Sequence, residues 1–106
     1  MKSAGDNKIR GAVHVKPKFM DISNYGFDSN HANEIRRHNV TKEDAERYVD
    51  NALVSITRYY GKYECFFSSE GAAYVNVEEK NIRTAFKRNE FDERTAKFIE
   101  EVENIE

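Results

Sequence analysis

One cysteine in 106 residues, Cys65, excludes an internal disulfide and cannot hold a metal ion by itself. Set inside an aromatic stretch, it reads as a small buried hydrophobe. No run approaches the ~18 to 20 apolar residues of a membrane-spanning helix, and the first residues lack the apolar core of a secretory signal. The expected address is the cytoplasm, or wherever a larger protein or particle carries the chain, with no membrane as partner. A Walker loop, a Gly-x-Ser-x-Gly elbow, a dinucleotide fingerprint and a Cys-x-x-Cys pair are all missing. So are internal repeats and low-complexity segments.

What is present suffices for one folded domain. Apolar residues make up 39% and charged residues 34%, and thirteen aromatics, seven Phe and six Tyr, supply bulk for a single modest core. Net charge is only -2, so the chain as a whole is no polyanion-binding surface. Charge is nevertheless segregated. His31, Arg36, Arg37 and His38 face a lone acid, Glu34, in 31–38, while Lys80, Arg83, Lys87 and Arg88 face none in 80–88. Acids gather in 90–106, which leaves room for a positive site on an acidic body.

Residues 1–12 read as a flexible tail and 13–106 as the domain. Segment 13–20 alternates weakly and is interrupted by Pro17, which confines it to an edge strand or an extended stretch. Turn formers follow, and Asp28 or Ser29 can cap a short helix over 31–38. Thr41 opens the next helix, with Glu43 and Asp44 in its first turn, and Ala45, Tyr48, Val49, Ala52 and Leu53 mark one buried face. The period then changes. Segments 54–60 and 63–68 are β-branched and aromatic, and Gly61-Lys62 between them fits a two-residue type II′ turn. Two more strands follow, the last over 82–86, and helical spacing returns over 91–105. The predicted fold is α+β: N-terminal helices packed on a four-stranded antiparallel meander, with a C-terminal helix.

On a continuous helix His31 and His38, seven apart, project from nearly the same face, where they could supply a proton donor and an electrostatic partner. The commoner fate of such histidines is to cap or hydrogen-bond neighbours. Their spacing is not the i, i+4 of helical zinc ligands, and no third ligand is evident. Arg36 and Arg37, with Lys80, Arg83, Lys87 and Arg88, could contact phosphates, although a solvated face is the usual place for surface cations. Tyr59, Tyr60, Tyr63, Phe66, Phe67 and Tyr74 crowd the strands; alternation buries every second one, and the others could stack on bases. In Ile82-Arg83-Thr84-Ala85-Phe86, simple alternation turns Thr84 inward with Ile82 and Phe86, and only a twist or bulge would turn it to a cleft.

The stretch His31-x4-Arg36-x-His38-Asn39-Val40-Thr41, the helix ending in Asn51-Ala52-Leu53, the strand Glu70-Gly71-Ala72-Ala73-Tyr74-Val75 and Ile82-Arg83-Thr84-Ala85-Phe86 together resemble phage-borne nuclease domains. These belong to the barnase, EndoU, colicin and RelE-like superfamily and are found at the C-termini of phage head-morphogenesis and minor capsid proteins. The likeness spans roughly residues 19 to 99. It implies a metal-independent, cofactor-free ribonuclease, or a toxin derived from one, acting on RNA in the cytoplasm or carried on a virion. Catalytic groups would be His31, Arg36, His38 and Thr84, with Arg83, Lys87 and Arg37 binding substrate and Glu64 as an alternative base. An immunity protein or a phage structural protein is the implied partner. The alternative is a catalytically silent module that docks onto such a structural protein.

Overall fold

A computed structural model describes residues 12–105. The expected tail lies outside them except for Ala12, the first residue of strand β1 (Ala12–His14). Strand β1 ends before Pro17 and lies on a sheet edge, where a residue without an amide hydrogen interrupts no ladder. A second, very short strand, β2 (Gly26–Phe27), leads into a π-helical turn over Asn30–Ile35. Helix α1 (Lys42–Asp50) follows, then β3 (Val54–Arg58), β4 (Tyr63–Phe67), β5 (Gly71–Asn76) and β6 (Asn81–Lys87). A 3₁₀ turn (Arg88–Glu90) and helix α2 (Glu93–Ile105) close the chain.

The expected α+β class is present, but among the described residues the sheet has six strands where four were expected. Their order is β1-β3-β4-β5-β6-β2. Strands β3 to β6 form the meander; β1 extends it antiparallel, while β2 pairs parallel with β6 at the other edge. Backbone bonding rather than composition makes β2: the Gly26 amide donates to the Lys80 carbonyl at 3.0 Å and the Asp28 amide to that of Ile82 at 2.9 Å. Nothing in a turn-rich passage announces such bonds.

Helix α1 starts as expected. Thr41 accepts from the Asp44 amide at 3.0 Å and the Asp44 carboxylate accepts from the Thr41 amide at 3.0 Å, a reciprocal capping box. Ala45, Tyr48 and Val49 are buried, whereas Ala52 and Leu53 fall beyond the helix. The preceding helix is shorter than expected. It stops at Ile35, and Arg37 and Asn39 both take the left-handed conformation, with φ of 58°. His31 and His38 therefore do not share one helix face. Asn33 clamps the reversal, its side-chain amide donating to the Val40 carbonyl and its oxygen accepting from the Val40 amide, each at 2.8 Å.

Each face of the sheet has its own core. Phe66, Ala73, Val75, Ile82 and Ala85 pack under α1 with Ala45, Tyr48 and Val49, joined by Ala32 and Val40. On the opposite face Val54, Ile56, Cys65, Phe67 and Ala72 pack around Ile99 of α2. Gly71 lies where a side chain would not fit: a Cβ there would sit 2.5 Å from the Phe86 carbonyl oxygen and 2.6 Å from the Tyr48 ring. The β3–β4 connection also departs from expectation. Instead of a two-residue turn, four residues join the strands, with Tyr59, Tyr60 and Gly61 all at positive φ (54°, 56° and 92°). For the tyrosines that conformation costs roughly 1 to 2 kcal/mol each.

Candidate active site

Helix α2 covers only part of its sheet face. Beside it opens a cleft of about 700 Å³, floored by Cys65, Tyr74, Thr84 and Phe86 from three adjacent strands. His31, Arg36 and His38 reach it from the π-helical turn and the reversal beyond β6. Arg83 and Glu90 stand at the same side, and Arg58, Tyr59, Lys62 and Tyr63 wall the other. Among these residues four permanent cations oppose one carboxylate, a local balance opposite in sign to that of the whole chain.

Thr84 gets there through a bulge. Tyr74 is opposite Thr84, but Val75 is opposite Ile82, so Arg83 is an extra residue in β6. The insertion breaks the alternation. Ile82 joins Ala85 and Val75 under α1, while Thr84 turns to the other face with Tyr74 and Phe86. Only 8% of Thr84 is exposed, and its Oγ1 has no hydrogen-bond partner among the described residues. A buried hydroxyl without a partner is costly, and the residue that carries it lines the cleft.

Asp28 ties two of the cleft residues together. Its Oδ1 accepts from the His31 amide at 3.0 Å, the capping role read from the sequence, and its Oδ2 accepts from Arg83 Nη1 at 3.2 Å. His31 is half-buried. Its burial, and next the charge of Arg83, hold its imidazole below the ordinary 6.5, against the opposing pull of Asp28; Arg36 and His38 push the same way as Arg83. The ring is thus mostly neutral near pH 7 and can accept a proton. His38 packs on the Phe86 ring, centroids 5.3 Å apart, and its Nδ1 is 2.8 Å from Glu90 Oε1. With Nδ1–H donated to that carboxylate, Nε2 is the nitrogen left to exchange protons.

Five of the sequence-derived residues therefore line one cleft: His31, Arg36, His38, Arg83 and Thr84. Arg37 and Lys87 do not line it. Lys87 alternates with Phe86 and so projects to the other face, and the left-handed turn at Arg37 carries that residue out to solvent. Glu64 is likewise on the wrong face to act as a base here. It is 2% exposed, pairs opposite Thr57 and Val75, and accepts from Thr57 Oγ1 at 2.6 Å, with His14 Nε2 2.8 Å from the same hydroxyl.

Burial pushes both the Cys65 thiol and the Tyr74 hydroxyl up to about 12, so neither ionises at neutral pH and Cys65 is no nucleophile there. No group of three or more His, Cys, Asp or Glu side chains able to hold a metal ion occurs among the described residues. No helix among them is long and apolar enough to cross a membrane. Sequence reasoning missed Arg58, Lys62 and Glu90 as cleft residues, because only the sheet and the reversal bring them to it. The one available signal was the tyrosine density of the first strands. No protein-family model, curated protein or solved structure matches the chain.

Proposed function

We propose that this cleft is the active site of a metal-independent ribonuclease, of the kind the resemblance to phage-borne barnase, EndoU, colicin and RelE-like domains implies. The observation that carries the reading is convergence. Two histidines and an arginine from 31–38 meet an arginine and a threonine from 83–84, the threonine hydroxyl without a partner among the described residues, along one cleft. Their chemistry matches the needs of RNA cleavage by its own 2′-hydroxyl, which requires a base, an acid and fixed positive charge around a dianionic transition state.

Each group then has a task. Neutral His31 takes the proton from the 2′-hydroxyl as its oxygen attacks phosphorus. His38, held by Glu90 through Nδ1, gives a proton from Nε2 to the departing 5′ oxygen. Arg83, steadied by Asp28, and Arg36 stabilise the developing charge, and Thr84 Oγ1 donates to a phosphate oxygen. The products are a 2′,3′-cyclic phosphate and a 5′-hydroxyl. RNA is the substrate, and an immunity protein or a phage structural protein is the expected partner.

The test is cleavage of RNA by the purified chain in excess EDTA. His31→Ala and Arg36→Ala are expected to abolish cleavage while circular dichroism and melting stay near wild type, since both residues line the cleft rather than either core. Full activity in both variants would overturn the assignment. No cleavage by wild type on a broad RNA panel, with stable capture of a phage structural protein, would replace it with the silent docking module.

A further inference from the structure

The far wall of the cleft is aromatic, and its shape is not what packing or turn chemistry would choose. A hairpin closes with least strain when Asn-Gly or Gly-x occupies the positive-φ positions. Here Tyr59 and Tyr60 occupy them, ahead of Gly61. Tyr59 is 68% exposed and Tyr60 fully so, so neither ring repays the backbone by joining a core. Tyr59 is held edge-on against Tyr63, ring centroids 5.8 Å apart, and both line the cleft with Lys62.

We infer that Tyr59, held edge-on against Tyr63, forms a base-stacking subsite for a nucleotide flanking the scissile phosphate, which restricts the cleft to single-stranded RNA. The inference rests on the reading of this cleft as an RNA-cleaving site. Three inter-strand spacings separate β6, which carries Thr84, from β3, which leads into the tyrosines. That is about 14 Å across the sheet, so the stacked base belongs to a neighbour of the nucleotide that reacts. Charge at that end agrees: Lys62 and Arg58 line the same wall as Tyr59, suited to the backbone of the stacked nucleotide. A duplex cannot use such a platform, because its bases already stack on one another and offer only their edges. An unpaired strand offers a ring face, and every base has one.

Binding can be read without cutting. A fluorescein-labelled single strand of 2′-O-methyl ribonucleotides has no free 2′-hydroxyl and stays intact, and its anisotropy reports affinity. Wild type is expected to bind it more tightly than the duplex of the same sequence. Tyr59→Ala should weaken single-strand binding by about 5- to 150-fold, the range of a lost base stack, and leave duplex binding unmoved, while Tyr59→Phe retains the affinity. Tyr59→Gly separates ring from backbone: it should weaken binding as Tyr59→Ala does yet melt at a higher temperature than that variant, because glycine accepts the left-handed position.

Equal affinity for single strand and duplex, no single-strand binding by wild type, or wild-type binding by Tyr59→Ala would each overturn the subsite. Cleavage is scored separately. A chain that cuts RNA while Tyr59→Ala binds normally loses the subsite alone; one that stacks the oligonucleotide through Tyr59 but cuts nothing keeps the subsite and loses the nuclease.

Discussion

Among single residues, Thr84 joins the fold to the cleft most directly. Its hydroxyl is buried with no hydrogen-bond partner among the described residues, on a residue that lines the cleft. Thr84→Val keeps the shape and removes the hydroxyl, so urea denaturation should show stability unchanged or raised by up to about 1 kcal/mol, while RNA cleavage falls at least tenfold, roughly one lost hydrogen bond in the transition state. Loss of both stability and activity would make Thr84 structural. His31 carries the pH dependence. Its folded pKa lies below the ordinary 6.5, so the unfolded chain takes up the proton first as pH falls. Its contribution to stability is full above 6.5 and is lost as pH drops through the lowered folded value. The acidic limb of a cleavage profile should accordingly fall below 6.5, and a limb above 6.5 would contradict the role of base. The residue types of this site were legible: two histidines and an arginine before the first long helix, and a basic run around the last strand. The direction of Thr84 was not, because a bulge at Arg83 has no composition of its own and strict alternation assigns the wrong face.

Elements were legible where local chemistry makes them. The capping box of Thr41 with Asp44 and the buried stripe of α1 need no tertiary information. Helix α2 is similar, with Asp92 Oδ1 accepting from the Thr95 amide at 2.8 Å at its start. The two edge strands depend on backbone pairing with distant segments, and the early end of the first helix depends on two left-handed residues that could equally have continued it. Gly71→Ala forces a methyl onto the Phe86 carbonyl and the Tyr48 ring, and should destabilise by about 1 to 3 kcal/mol in urea titration. Retained stability would mean that α1 and β5 shift apart freely. Helix α2 is tied down by Glu103, which accepts from Arg88 Nη1 at 2.7 Å and Nη2 at 3.0 Å and also from Ser69 Oγ. These bonds hold the Glu103 carboxyl at about 2, well under the usual 4.5. Stability from this clamp is complete above 4.5 and disappears as pH falls through about 2. Glu103→Gln should lower the melting temperature at pH 7 and reduce its decline between 4.5 and 2; an unaltered acid profile would remove the clamp.

At the scale of the molecule, one sheet separates two jobs. The face under α1 is filled by Phe66, Val75, Ile82 and their neighbours and holds the fold together. The other face is only partly closed by α2, and the uncovered part gathers Arg36, Arg58, Lys62 and Arg83 around His31 and His38 on a chain of net charge -2. Such local concentration favours an anionic chain lying across the strands, from the histidines beside β6 to the tyrosines at the β3–β4 tip. This layout was half legible. Charge segregation pointed to a positive site on an acidic body, but which cations share it depends on which face each strand residue takes. Lys87 drops out for that reason and Arg37 because its left-handed turn carries it to solvent, while Arg58 and Lys62 enter. The most direct measurement compares two oligoribonucleotides in EDTA, one unmodified and one with a 2′-O-methyl group at every position. Wild type should cut the first to products ending in 2′,3′-cyclic phosphate and leave the second whole, and His31→Ala should cut neither. An intact unmodified strand, cleavage of the methylated strand, or wild-type cutting by His31→Ala would contradict the assignment of this cleft to 2′-hydroxyl-dependent RNA cleavage.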